Sequence, residues 1–262
     1  MRIARLFAVL SLAAALPLAG FAAPSPARAA AGPSATPEEI GTMVIDEVDR
    51  RAAVLADQQY AALMEIYKDG TLTKSLEFDM IMKGLDKQFL VFTAPGDVAG
   101  LKVLMQDAET LYIYTPEFKK VRRVAAHMQN QGFLGSTFTY EHMTQNQLSL
   151  FYDAVFTGKE GSLTTLELTP KDSSKSSYAR LEVVIDSTKG GVTEIRYYDG
   201  SGNHKLTQTR DDWVKIDGEL LPMTVTMTDH NTNDKTVIRL SDVKVNQGID
   251  DDQFSRRHLL RG

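Results

Sequence analysis

The side chains that could do chemistry are few, and their spacing does not bring them together. The chain has five histidines and no cysteine. Without a thiol there is no cysteine nucleophile and no Cys-zinc site. His127, His142, His204, His230 and His258 show no pair at metal-ligand spacing. His127 and His142 flank a loosely patterned segment, with Glu141 beside the second. Two readings stand there: a metal or acid–base pair, or loop histidines satisfied by water and backbone. Asp250-Asp251-Asp252 offers oxygens to Ca²⁺. Consecutive carboxylates in an extended chain cannot all face one ion, and calcium loops alternate their ligands, so an acidic start to a final helix is the simpler reading. His-Glu-x-x-His, Gly-x-Ser-x-Gly, a phosphate loop and Gly-x-Gly-x-x-Gly are all absent. The expectation is a binding protein, not an enzyme, with no cofactor and no metal.

A basic cluster of Lys119, Lys120, Arg122 and Arg123 lies beside Tyr112, Tyr114 and Phe118. It suits an anionic head group or an acidic surface, or it protects an edge hairpin by charge. Alternation puts Arg123 with Val121 and Ala125, so an inward Arg123 needs a partner such as a backbone carbonyl. The net charge of −5 makes nucleic acid a poor partner.

Two features locate the chain. Arg2 and Arg5 precede an apolar run from Leu6 to Leu18, and small residues follow at Ala29–Ala31. This reads as a signal peptide over 1–31, cleaved near Ala29–Ala31. The run is too short and too rich in Ala to span a bilayer. The absent cysteine also removes any lipoprotein anchor, so a periplasmic protein is expected. Residues 32–36 read as a flexible linker and 37–262 as a single domain.

The elements that must position any site follow from periodicity. Thr36-Pro37-Glu38-Glu39 is a capping box with Pro at the first helical position. The helix it opens is expected to reach about Ala56, with Ile40, Met43, Val44, Val48, Ala52 and Leu55 on its apolar face. After Tyr60 the period drops to two. Asp69-Gly70 is a hairpin turn, and Leu76, Phe78, Met80 and Met82 alternate with polar residues. Short strands with polar turns recur to Val245, interrupted between Ala126 and Phe151, where a short helix over Glu141–Leu150 is expected to lie across the mouth of the sheet.

The strand faces are oily, and Met accepts varied apolar partners. The residues expected to line a hydrophobic cavity are Met64, Ile66, Phe78, Met80, Met82, Phe89, Val91, Leu101, Val103, Met105, Met223 and Met227. A barrel too wide for its side chains to fill encloses such a space.

Four segments then fall in a familiar order: Phe92-Thr93-Ala94-Pro95-Gly96-Asp97, Leu111-Tyr112-Ile113-Tyr114-Thr115-Pro116, Val121-Arg122-Arg123-Val124 and Gly135-Ser136-Thr137-Phe138-Thr139-Tyr140-Glu141. The series resembles the outer-membrane lipoprotein-sorting protein family, the LolA-like group. Thr137 stands where that family often has Asp, and His142-Met143 where Asp-Leu is common. The resemblance implies a mainly β fold with a few helices, an unclosed antiparallel β-barrel whose helical plug or lid covers an apolar cavity. Arg123, Tyr140 and Glu141 become the candidate polar residues of the lid. It further implies a monomeric carrier of lipid or lipoprotein acyl chains, moving them through the periplasm from an inner-membrane exporter to an outer-membrane acceptor. The alternative is a sensor or accessory subunit of a lipid exporter that uses the same fold to recognise a protein.

Overall fold

The computed structural model describes residues 35–125 and 131–261. The expected signal peptide, most of the linker and His127 lie outside the described residues.

Helix α1 (Pro37–Ala52) starts as its capping box dictates. Thr36 Oγ1 accepts from the Glu39 N–H at 3.2 Å, and Glu39 Oε2 accepts from the Thr36 N–H at 2.8 Å. Its buried stripe is Gly41, Ile45 and Asp49, while Met43, expected on the apolar face, is exposed. Gly41 sets how closely the helix approaches the sheet. A Cβ there would sit 2.3 Å from the carbonyl oxygen of Ala154, so only hydrogen fits.

Thirteen strands follow, all antiparallel and all in one sheet among the described residues. The first six are β1 (Asp57–Lys68), β2 (Thr71–Lys83), β3 (Lys87–Ala94), β4 (Lys102–Asp107), β5 (Thr110–Thr115) and β6 (Lys120–Arg123). The remaining seven are β7 (Tyr152–Glu160), β8 (Leu163–Pro170), β9 (Arg180–Asp186), β10 (Gly191–Tyr198), β11 (His204–Ile216), β12 (Glu219–Asp229) and β13 (Lys235–Val245). Each strand pairs with its sequence neighbours, except that β1 also pairs with β13 and joins the two runs at the middle of the sheet. The edges are β6 and β7, which do not pair with one another, so the barrel is unclosed. The chain between these edges carries two short helices, α2 (Tyr140–Thr144) and α3 (Leu148–Phe151), in place of the one expected over Glu141–Leu150.

The sheet buries apolar side chains on both faces. The inner face holds Met64, Ile66, Leu76, Phe78, Leu90, Phe92, Val103 and Leu111 in one cluster with Phe133. A second inner cluster, with Leu166, Leu168, Val183, Ile195 and Met227, packs under Ile45 of α1. The outer face of β3 and β4 carries Phe89 and Leu104, covered by Ile249, by Phe254 of a 3-10 turn (Asp251–Phe254) and by Leu259 of α4 (Arg256–Leu260). That cover explains why Ile81 interrupts the alternation of β2: it packs outward against this cluster. The Asp250–Asp252 run belongs to the same cap. Asp250 accepts from the Asp252 N–H at 3.0 Å, and Asp251 pairs with Lys87 at 3.0 Å and Lys83 at 3.2 Å.

Candidate hydrophobic cavity and its polar lining

Between the inner face, α1 and the plug segment lies a cavity of about 540 Å³. That size is within the usual range for small-molecule sites. One wall comes from β1 to β3, with Tyr60, Met64, Phe78, Met80, Met82 and Leu90. The facing wall comes from β10 to β13, with Val192, Val225, Ile238 and Leu240. Val48 and Leu55 close one side, and Phe133, Phe138 and Met143 of the plug close another. The open end is ringed by the exposed Arg51, Thr188 and Glu219 with half-buried Lys189 and Leu85.

The plug is fastened to the sheet rather than resting on it. Thr137 donates its backbone N–H to Thr236 Oγ1 at 3.0 Å and its hydroxyl to the Met227 carbonyl at 3.1 Å. Gln88 donates to the Met143 carbonyl at 3.2 Å. Asp49 of α1 accepts from the N–H groups of Leu148 at 3.2 Å and Ser149 at 2.8 Å. Burial pushes the Asp49 carboxyl up, against the pull of these donors. Glu141 is buried and ringed by donors instead of cations: Ser176 Oγ at 2.7 Å, the Ser177 N–H at 3.0 Å and Gln145 at 3.1 Å.

His142 is part of this fastening. The Thr139 N–H donates to its Nδ1 at 2.9 Å, which places the ring proton on Nε2, 3.0 Å from Tyr178 Oη. Its ring also meets Phe138 and Tyr197 edge-on. Burial pushes the imidazole down to about 3, so it is neutral at physiological pH. Among the described residues no group of three or more His, Cys, Asp or Glu is placed to hold a metal. The sequence spacing did miss one histidine pair. The rings of His204 and His230 lie 4.2 Å apart, and Thr207 Oγ1 reaches both Nε2 atoms at 2.9 and 2.8 Å. They flank the β11–β12 hairpin, which joins positions far apart in sequence.

Of the residues expected at the cavity, Met64, Phe78, Met80 and Met82 form its wall. Ile66, Val103, Met105 and Met227 are buried in the core around it, and Leu101 packs against the same core. Phe89 and Val91 are corrected to the outer face, where the C-terminal cap covers them. Met223 is half-buried on β12 and takes no part in the wall. Arg123 is corrected too: it is exposed on the edge strand β6, 3.5 Å from Thr110 Oγ1, with no further strand paired beyond it among the described residues. Tyr140 is half-buried and packs edge-on against Phe133, 5.3 Å between centroids.

Sequence reasoning missed Arg210 and Trp213. Leu206, Gln208 and Arg210 share the inner face of β11 by alternation, which was the available signal for Arg210. Trp213 has the opposite parity, but Asp212 takes a left-handed conformation at φ 55° and Trp213 turns inward. Its indole Nε1 donates to the Arg210 carbonyl at 2.9 Å, and its ring lies against Gly191.

The comparisons agree with this architecture. A family model described only as "uncharacterized protein"-like matches residues 84–261. The chain belongs to that family, and its fold is LolA-like. A DUF1329 family protein from Desulfovibrio piger superposes with a TM-score of 0.80 at 22% identity, covering 86% of this chain and 100% of that one. A putative outer membrane lipoprotein-sorting protein domain from Vibrio parahaemolyticus gives 0.78 at 22% identity, with the same coverage of 86% and 100%. A LolA superfamily protein from Nitrosomonas europaea gives 0.69 at 17% identity, covering 83% and 98%. No curated protein matches the sequence. Among the described residues, no helix of this LolA-like chain is long and apolar enough to cross a membrane.

Proposed function

We propose that this LolA-like protein is a periplasmic carrier that takes acyl chains of lipids or lipoproteins into its cavity and ferries them toward the outer membrane. The cavity of about 540 Å³ between oily strands and plug carries the reading. An acyl chain leaving a bilayer needs a dry container, and each CH₂ kept from water contributes about 0.8 kcal/mol. Met64, Met80 and Met82 give that container a wall that adapts to chains of different shape. The open end gives the chain its way in and out, and the transfer direction follows from which acceptor binds the chain more tightly. No covalent step is required. The neighbouring lipoprotein-sorting domain and LolA superfamily structures share the architecture that this reading uses.

The experiment is organic extraction of the protein purified from its native host, followed by lipid mass spectrometry. Stoichiometric acyl-bearing species support the carrier reading. A protein without lipid that also fails to take up acyl chains from labelled vesicles overturns it.

A further inference from the structure

Arg210 is a cation built into an oily wall. Strand register places Arg210 opposite Val225, Val225 opposite Ile238, and Ile238 opposite Met64. All four line the cavity, so this row sets one guanidinium among three apolar side chains. The guanidinium reaches Gln208 Oε1 at 3.4 Å, a long contact that leaves most of its donors unused. No ion pair involves it among the described residues, whereas Arg50, Arg51, Arg180, Arg196 and Arg239 all pair with glutamates. Burial works against its charge, which a guanidinium nevertheless keeps. Arg210 is half-buried and lines the cavity without a counterion among the described residues, and its planar fork matches the two oxygens of a carboxylate or phosphate.

We infer that Arg210 anchors the anionic head group, a carboxylate or a phosphate monoester, of a single-chain amphiphile whose tail lies along Met64, Phe78, Met80 and Met82. The inference rests on the carrier reading and narrows its cargo to chains with a small negative head. Trp213 is the chain's only tryptophan, and its indole is bonded to the Arg210 backbone, so it reports on ligands that reach this site.

The test is titration of delipidated protein, followed by Trp213 fluorescence and checked by calorimetry. The probes are palmitate, hexadecyl phosphate, hexadecanol and inorganic phosphate. The wild-type chain is expected to bind the two charged amphiphiles at least about ten-fold tighter than hexadecanol. Arg210→Gln is expected to abolish that preference and leave hexadecanol affinity within about two-fold. Arg210→Lys, which keeps the charge and loses the fork, should retain part of it. Circular dichroism and a melting curve establish that each variant is folded. Equal binding of charged and neutral chains by the wild type, or an unchanged preference in Arg210→Gln, overturns the anchor and leaves the carrier reading standing. Binding of inorganic phosphate as tight as hexadecyl phosphate overturns the amphiphile in favour of a free-anion site. Failure of every chain-bearing probe, hexadecanol included, overturns the carrier reading and the anchor with it.

Discussion

Nε2 of His142 lies 3.0 Å from Oη of Tyr178, and the two rings are only 19° from parallel. Tyr178 precedes β9 and His142 belongs to α2, so this bond joins the plug to the second half of the sheet. Tyr197 packs against both rings, 5.0 Å from His142 and 4.8 Å from Tyr178. The imidazole therefore sits in an aromatic box with Nδ1 already accepting from the Thr139 N–H, so a second proton has to displace that bond.

Acid should open the plug through this box. Free imidazole takes up its proton below about 6.5, whereas the enclosed ring resists to about 3. A base held down in the closed form contributes its full stability above 6.5 and loses it as pH falls toward 3. The slope is at most about 1.4 kcal/mol per pH unit. Asp49 works the other way, since its raised carboxyl makes the closed form tighter on acidification, within a window that lies above 3.8 and ends there. Hydrogen exchange of residues 131–151 at descending pH separates the two. Protection should fall from about pH 6.5 downward in the wild type, and His142→Gln should flatten that dependence. Identical pH profiles in the two proteins would rule out the histidine.

Glu141 fastens the other side of α2. Its carboxylate accepts from Ser176, Ser177 and Gln145, and Tyr152 Oη extends the network to Ser176 at 3.0 Å. Glu141→Ala strands several buried donors at once, and a loss of about 3 kcal/mol follows. The effect should be local: faster exchange over 131–151 and 171–178, with β1 to β3 less affected. Glu141→Gln keeps one acceptor oxygen and should lose less. A melting curve with site-resolved exchange checks both, and a uniform loss of protection over the whole sheet would contradict a plug fastening.

How much of this was legible in the sequence depends on how many faces each strand buries. On β2, Phe78 and Met80 alternate with exposed Glu77 and Asp79, so the pattern alone places them inward. On β3, Phe89, Leu90 and Phe92 are all buried because the C-terminal cap covers the outer face, and period two carries no information there. Phe89 and Val91 therefore look like inner-face residues in the sequence although they point outward. Trp213 was hidden for a different reason: the left-handed Asp212 reverses its side, and nothing in the residue types announces that. The Pro37 helix start and the Asp69-Gly70 turn were readable because local chemistry alone decides them. The His204–His230 contact depends on strand register, which spacing along the chain does not encode.

Gly41 makes a sharp test of how α1 seats on the sheet. Its missing side chain lets the helix backbone approach Ala154, where an added Cβ would be 2.3 Å from a carbonyl oxygen and 2.8 Å from the Val155 nitrogen. These are backbone atoms of a paired strand, so they cannot turn aside as a flexible side chain would. Gly41→Ala gains about 1 kcal/mol in helix propensity but should still lose stability, because the helix must lift. Lifting α1 also moves Asp49 away from Leu148 and Ser149, so plug protection should fall with the melting temperature. A melting temperature at or above the wild-type value would show that α1 sits further from β7 than this geometry has it.

The cavity itself can be closed without touching its charges. Val48 lies on the cavity side of α1, half-buried, facing a space that its own methyl groups do not fill. Val48→Phe places a ring in that space, where filling an existing void costs less than overpacking a dense core. Stability should change by less than about 1.5 kcal/mol, since no buried polar group is disturbed. Uptake of acyl chains should nevertheless fall about ten-fold or more, because ring and tail compete for one volume. Arg210 is untouched in this variant, so any residual binding should keep the wild-type preference between palmitate and hexadecanol. Unchanged uptake by a folded Val48→Phe protein would place the acyl chain somewhere other than this cavity.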